Sequence, residues 1–108
     1  MPVIIVNNFD LAAFSTAVHE RGPAWESAGV QWRLTIGPTR DKSAAWVACE
    51  NARRTAQLTV WTSGEAEFDV GDFITGATTS THYDLATRQD LDSCLDDLTR
   101  HLNAPPAP

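Results

Sequence analysis

The chain has 108 residues, 43% of them apolar, and a formal net charge of −6. This length and apolar content predict one domain, residues 1–108, with a single core, and they exclude an intrinsically disordered chain. The charge is uneven, because residues 1–64 carry six basic and five acidic residues (+1), whereas residues 65–108 carry two basic and nine acidic residues (−7). The acidic half argues against binding to nucleic acid or to an anionic membrane, and it favours a basic protein partner.

The cysteines and the N-terminus indicate a cellular compartment. Cys49 and Cys94 form no CxxC motif and fall at core-facing positions, which predicts two buried free thiols in a reducing environment. The start of the chain, MPVIIVNN, lacks the basic region of a signal peptide, and its apolar run covers only Val3 to Val6. No stretch approaches the roughly 20 apolar residues of a membrane span. We therefore expect a cytoplasmic protein; an extra strand at Val3 to Val6 is left open.

The first predicted element is a helix. Asn7, Asn8 and Asp10 supply capping side chains before it. Its apolar stripe, at spacings of three and four, consists of Leu11, Phe14, Ala17 and Val18. Gly22-Pro23 is expected to end or kink the helix, since proline cannot continue the hydrogen-bond ladder. One further turn at Trp25 to Ala28 is left open.

Two strands follow, in which the apolar period changes to two. The first runs from Val30 to Ile36, and its inward residues are Val30, Trp32, Leu34 and Ile36. The second runs from about Ala44 to Glu50. We favour the phase that turns Ala45, Val47 and Cys49 inward and Trp46 and Glu50 outward, although the opposite phase is open.

The next two strands form a hairpin, and their phases select its turn. The strands cover Thr55 to Trp61 and Glu65 to Val70. A two-residue loop would bring carboxylates onto the apolar face, where an unpaired charge is expensive. A three-residue loop instead pairs Val60 with Ala66 and gives Gly64 the left-handed position typical of such turns. We therefore predict the loop Thr62-Ser63-Gly64, with Trp61 and Glu65 as neighbours on the outer face.

A fifth strand and a second helix close the chain. The strand covers about Thr78 to Leu85, with Tyr83 and Leu85 inward and His82 and Asp84 outward. Thr87 and Asp90 have the spacing of a capping box. The apolar stripe of the helix consists of Leu91, Cys94, Leu95, Leu98 and Leu102. Residues 103–108, rich in proline and alanine, are expected to fray.

These elements predict an α+β fold of the order α-β-β-β-β-β-α. It consists of an antiparallel β-meander of four to five strands, with the N-terminal and the C-terminal helix packed on one face. The other face is left open, and an exposed tryptophan among acids is typical of a protein-binding surface. Alternatively, the tryptophans only cover the sheet, or Trp61 packs under Val3 to Val6. The candidate partner-binding residues are Trp46, Glu50, Trp61, Glu65, Glu67, Asp69 and Asp84.

No pattern predicts catalysis. The three histidines, His19, His82 and His101, lack the spacing of a zinc site, and no phosphate-binding loop is present. His82 and Asp84 share one face of a strand and could form an oriented base, but such a spacing often arises by chance. We therefore expect no catalytic residue, no metal and no cofactor, and a small α+β enzyme is the least favoured function.

Several motifs resemble those of a known family. They include Trp25 with Gly29 before the first strand, VWTSGE at Val60 to Glu65, the acidic strand, the Thr75-Gly76 turn, HYDL at His82 to Leu85 and the leucine-rich last helix. Over about Phe9 to Leu102 the chain resembles the TriTu group of small immunity proteins. The resemblance implies a cytoplasmic protein that neutralises a cognate toxin of a bacterial polymorphic-toxin (contact-dependent competition) system.

Such a protein acts by direct stoichiometric binding and has no catalytic residues to carry over. From the strand phases we expect the toxin to bind the outer face of the sheet. An acidic secretion chaperone or adaptor for an effector protein is the alternative function. The sequence leaves the oligomeric state open.

Overall fold

A computed structural model describes residues 9–39 and 41–104 of the chain. The elements are α1 (Leu11–Ser27), β1 (Gln31–Ile36), β2 (Ala44–Glu50), β3 (Arg54–Trp61), β4 (Glu65–Asp72), β5 (Thr78–Asp84) and α2 (Arg88–Asn103). The five strands form one sheet in the order β1-β2-β3-β4-β5, and every neighbouring pair is antiparallel. The predicted α+β meander is therefore confirmed. Neither helix in the described ranges is long and apolar enough to cross a bilayer.

Helix α1 begins as expected and ends later than expected. The Asp10 carboxylate accepts a hydrogen bond from the Ala12 N–H at 2.9 Å, which makes Asp10 the N-cap; Asn7 and Asn8 lie outside the described residues. The alternative that Gly22-Pro23 ends the helix is wrong, because the helix continues through Pro23 to Ser27 and so includes most of the further turn at Trp25 to Ala28 that the sequence left open.

Tertiary packing explains why the proline does not stop α1. Trp25, two residues after Pro23, is buried in the core, and its indole Nε1 donates to Thr99 Oγ1 on α2 at 2.9 Å. Gly22 lies against the indole of Trp32, and a Cβ at this position would lie 2.5 Å from a carbon of that ring. The last turn is thus held by contacts with β1 and α2, which offset the hydrogen bond that proline cannot make.

The sheet has the predicted registers. Val60 is opposite Ala66 and Leu58 is opposite Phe68 across the three-residue turn, and Gly64 has a left-handed φ of 89°. In β2 the favoured phase is confirmed, with Ala45, Val47 and Cys49 buried. Strand β4 extends two residues beyond the predicted Val70, and β5 ends at Asp84 instead of Leu85.

The core lies between one face of the sheet and the two helices. Helix α1 lies over β1 to β3, and α2 lies over β3 and β4. The buried apolar residues from the helices are Phe14, Ala17, Val18, Trp25, Leu91, Cys94, Leu95, Leu98 and Leu102. Both cysteines are free and buried, as predicted, and burial raises the pKa of Cys49 to about 12 and that of Cys94 to about 11.

Helix α2 is fixed at both ends. Thr87 and Asp90 form the predicted capping box. At the other end Arg54, only 9% exposed, donates from Nη1 to the carbonyl oxygens of His101 at 3.0 Å and Ala104 at 2.5 Å. Asn103 is still helical, and the fraying expected of residues 103–108 stays a prediction. Residues 105–108 and Val3 to Val6 lie outside the described residues.

The inner face is not covered evenly at the two edges of the sheet. Ile36, predicted to face inward, lies on the inner face at the end of the edge strand β1 but is 54% exposed. On β5, Thr79 and Thr81 are exposed and Tyr83 is half-buried, with its hydroxyl donating to Asp97 at 3.2 Å. Strand β5 is thus held mainly by its ladder with β4.

Candidate functional site

The face of the sheet turned away from the helices is called the outer face below. Strand alternation places on it the residues at the odd positions of β1 and β3, the positions 65, 67 and 69 of β4, and the even positions of β2 and β5. One row across the sheet is Thr35, Trp46, Thr59, Glu67 and His82, each Cα partner of the next. The helices cover the opposite face, so these side chains are not part of the core.

Trp61 forms a small cluster with two charged residues on the outer face. The Lys42 Nζ lies 5.6 Å from the centroid of the Trp61 ring and donates to Glu65 Oε1 at 2.7 Å. The hydrogen bonds from Lys42 and from Ser63 hold the pKa of Glu65 below its usual value. Trp61 is half-buried, and its ring lies beside Lys42 while it remains partly accessible to solvent.

Lys42 is a member of this cluster that sequence reasoning missed. It lies in the loop before β2, outside the strands, where alternation assigns no face. The antiparallel pairing of Ala44 with Trp61 brings this loop beside the end of β3. The sequence itself shows only that this lysine lies close to the start of β2, a strand with outward-facing residues.

Trp46 occupies the neighbouring strand on the same face. It is half-buried and opposite Thr59, and a Cβ on Gly37 would lie 3.5 Å from Cζ3 of its ring. Its indole therefore reaches over the end of β1. Both tryptophans partly cover the outer face and partly remain accessible to solvent.

The acidic candidates divide into two groups. Glu65 and Glu67 on β4 are opposite Asp84 and His82 on β5, on the half of the outer face that carries the tryptophans. Glu67 is exposed, and no ion pair found in the described residues uses it. The remaining acids, Asp69 and Glu50, lie toward the other half, so the structure does not bring all seven candidates together.

That other half contains two shallow depressions. One, of about 400 Å³, is lined by Gln31, Arg33, Ala48, Glu50 and Thr55. The second, of about 300 Å³, is lined by Thr55, Gln57, Asp69, Gly71, Thr78 and Ser80. In the second depression, the half-buried Asp69 accepts a hydrogen bond from the Ser80 hydroxyl at 2.5 Å.

His82 and Asp84 do form a pair, with Nε2 and Oδ1 3.0 Å apart. Their side chains are 56% and 82% exposed, however, so water solvates both groups. General acids and bases normally need a partly desolvated site that positions a substrate and tunes the pKa. The described ranges also contain no group of three His, Cys, Asp or Glu residues that could hold a metal ion.

The outer face has a composition that is typical of protein-binding surfaces. Large aromatic side chains beside polar and charged residues are the usual composition of a protein-binding hot spot and its rim. Five acids against Arg33 and Lys42 leave this face with an excess of negative charge. A complementary partner surface would be basic.

Comparison with known proteins gives a family. A search of curated proteins found no significant match. A family profile described as "Immunity protein TriTu" matches residues 12–100, from the first turn of α1 almost to the end of α2. An immunity family suggests toxin neutralisation and, in general, a toxin as protein partner. The match includes every strand and most of both helices, so the chain belongs to the TriTu family of immunity proteins.

Proposed function

We propose that this protein neutralises a cognate bacterial toxin in the cytoplasm by direct, stoichiometric binding through the outer face of its sheet, without catalysis of its own. The observation that carries the proposal is the half-accessible pair Trp46 and Trp61 beside Glu65 and Glu67, on the face that neither helix covers. Within an immunity family, such a face supports binding. The family match also favours this function over a secretion chaperone.

The charge of the outer face supports a basic toxin as partner. Complementary charge raises association rates well above those of neutral pairs and suppresses wrong partners. Rapid association matters for an inhibitor, because it must capture each toxin molecule before the toxin acts. We therefore expect toxin binding to slow as ionic strength rises, since the Debye length is about 10 Å at 0.1 M salt and charges farther apart are largely screened.

The test is co-expression with the toxin encoded by the neighbouring gene. Wild-type protein should restore growth and co-purify with the toxin domain in a fixed ratio. Trp61→Ala combined with Glu67→Lys should weaken the complex at least about 30-fold, the loss expected for a hot spot of about 2 kcal/mol. Glu67 suits this change because it is exposed, whereas reversing Glu65 would also disturb Lys42.

A matched control comes from the other side of the molecule. Glu20→Lys on α1 changes the net charge by the same amount as Glu67→Lys, and it removes only an exposed ion pair with Arg88. Such pairs contribute little to stability, so this variant should fold and should bind the toxin almost as well as wild type. Failure of the wild-type protein to rescue growth would refute the proposal. Lower thermal stability of the Trp61 variant with unchanged affinity would make Trp61 a structural residue.

A further inference from the structure

Among residues 9–39 and 41–104, strand β5 pairs with a strand on one side only, β4, so the main-chain N–H and C=O groups on its other side have no strand partner there. The Leu85 N–H donates to the Gly64 carbonyl at 2.7 Å, and the Asp72 N–H donates to the Ala77 carbonyl at 3.0 Å. In an antiparallel ladder, hydrogen-bonded pairs alternate with pairs that are not hydrogen-bonded. With the observed register, the residues of β5 that bond to β4 are therefore Thr79, Thr81 and Tyr83.

The other residues of β5 point their N–H and C=O groups away from the sheet; these are Thr78, Ser80, His82 and Asp84. No main-chain hydrogen bond found within residues 9–39 and 41–104 uses these groups. The same four residues have their side chains on the outer face. The open edge of the ladder and the outward acidic residues of β4 and β5 are thus parts of one surface.

Within the described residues, the edge lacks the features with which proteins usually block strand pairing, such as Pro, Lys, a bulge or a covering element. Residues 78–84 contain neither Pro nor Lys, and the register from Glu65–Asp84 to Gly71–Thr78 runs without a bulge. Six of the seven residues of β5 are exposed. The opposite edge differs, since β1 lies under α1, carries Arg33 at its centre and is followed by Pro38.

Charge indicates which strand could be added here. An added strand places every second side chain on the outer face, beside Ser80, His82 and Asp84, with Glu67 and Asp69 on the next strand. Lysine or arginine at these positions would be complementary. The depression of about 300 Å³ beside Ser80 has room for a long side chain that reaches Asp69. A second copy of this chain would instead bring two acidic faces side by side, which like-charge repulsion disfavours.

We propose that β5 is a strand-addition site, at which an extended segment of the toxin with basic residues at alternate positions pairs with the open main-chain groups of Thr78 to Asp84. This inference rests on the proposed function, since it specifies how the toxin binds. Main-chain hydrogen bonds hold the added strand, and the acidic side chains select its sequence. The complex then contains a sheet of six strands.

Amide-resolved hydrogen exchange measures the predicted contact directly. In the free protein, the amides of Ser80, His82 and Asp84 should exchange rapidly, whereas those of Thr81 and Tyr83 are protected by β4. Addition of the domain of the neighbouring toxin should slow exchange at the first three. Slow exchange there in the free protein at every concentration overturns the proposal. Amide protection that grows with protein concentration in the absence of toxin also overturns the proposal, since a second copy of the chain then occupies the edge.

The matched variants are Ser80→Pro and Ser80→Ala. Both variants remove the hydroxyl that donates to Asp69, but only proline also removes the outward N–H. Proline is tolerated on an edge strand at a position whose N–H faces solvent. Ser80→Pro should bind the toxin domain at least about tenfold more weakly than Ser80→Ala, the effect of losing one well-placed hydrogen bond. Thermal melts of both variants check that the sheet remains intact.

The outcomes separate this inference from the proposed function. Strand addition is overturned if the two variants bind with equal affinity and the edge amides stay unprotected in the complex. Loss of binding in the Trp61→Ala, Glu67→Lys variant would then still support the outer face as the toxin-binding surface. Should Ser80→Pro fail to fold, the amide protection of the wild-type complex decides the matter. A wild-type protein that neither binds the toxin nor rescues growth removes both proposals.

Discussion

Gly22→Ala should destabilise the protein, although alanine is the better helix former. Inside a helix this change normally stabilises by about 1 kcal/mol. Here the new Cβ would lie 2.5 Å and 2.8 Å from two carbons of the Trp32 indole, far inside van der Waals contact. The indole is held by its Nε1 hydrogen bond to Glu26 at 2.7 Å and by edge contacts with Trp25 and His19, at centroid distances of 6.1 Å and 5.5 Å.

The two effects can be compared in magnitude. Overpacking costs about 1–3 kcal/mol, and the severe overlap at a ring held from three sides favours the upper part of that range. We therefore expect a net loss of about 1–2 kcal/mol. For a domain of this length that loss lowers Tm by roughly 5–10 °C. Urea unfolding at 25 °C, with the midpoint and the slope fitted separately, measures the free energy of unfolding.

Two further variants make the result decisive. Thr16→Ala, at an exposed position of the same helix, should be neutral or slightly stabilising, since alanine is the better helix former and the change adds no atom that could overlap a neighbour. In a Trp32→Leu background, Gly22→Ala should become stabilising, because the space above Gly22 is then free; the double-mutant cycle measures the coupling. A gain in stability for Gly22→Ala in the otherwise wild-type protein would refute the packing of Trp32 on α1.

Three other predictions concern the core and the helix ends. Arg54→Met should lower the free energy of unfolding by about 2–4 kcal/mol, because the carbonyls at the end of α2 lose a buried charged donor; unchanged urea melts would contradict this. Cys49 and Cys94 should resist alkylation at pH 8 until urea unfolds the chain, since burial raises both thiol pKa values; rapid labelling of the native protein would show exposed thiols. Backbone N–H groups lower the carboxyl pKa of Asp72 and of Asp90, so their contribution is present above the unfolded-state pKa of about 3.9 and is lost as the pH falls through the lower folded value. Tm should therefore change little from these groups between pH 7 and 5 and fall below about pH 4, and Asp90→Asn should reduce that acid dependence.

The strand registers could be predicted because two local rules agreed. Alternation set the phases of β3 and β4, and the cost of a buried carboxylate then excluded the two-residue turn, which left Val60 opposite Ala66. The capping box of α2 is likewise contained in four consecutive residues. Where the physical cause lies within a few residues of its effect, one sequence suffices.

The unpredicted features arise from pairs of residues that are remote in sequence. Helix α1 passes through Pro23 because Trp25 is fixed by Thr99, 74 residues later. Lys42 reaches Glu65 across the sheet, and no periodic pattern encodes that contact. The same holds for the outer face, where alternation correctly chose the side of each tryptophan but could not show that Trp46 reaches over Gly37.

The charge that is distributed unevenly along the chain is also distributed unevenly across the folded molecule. Since strand order follows chain order, β4 and β5, which carry five acidic residues and no lysine or arginine, lie toward one flank, and the first three strands lie toward the other. The molecule consequently has an electric dipole moment directed across its strands. In the field of a cationic surface, this moment produces a torque that rotates the β5 flank toward that surface, so the molecule is oriented before first contact.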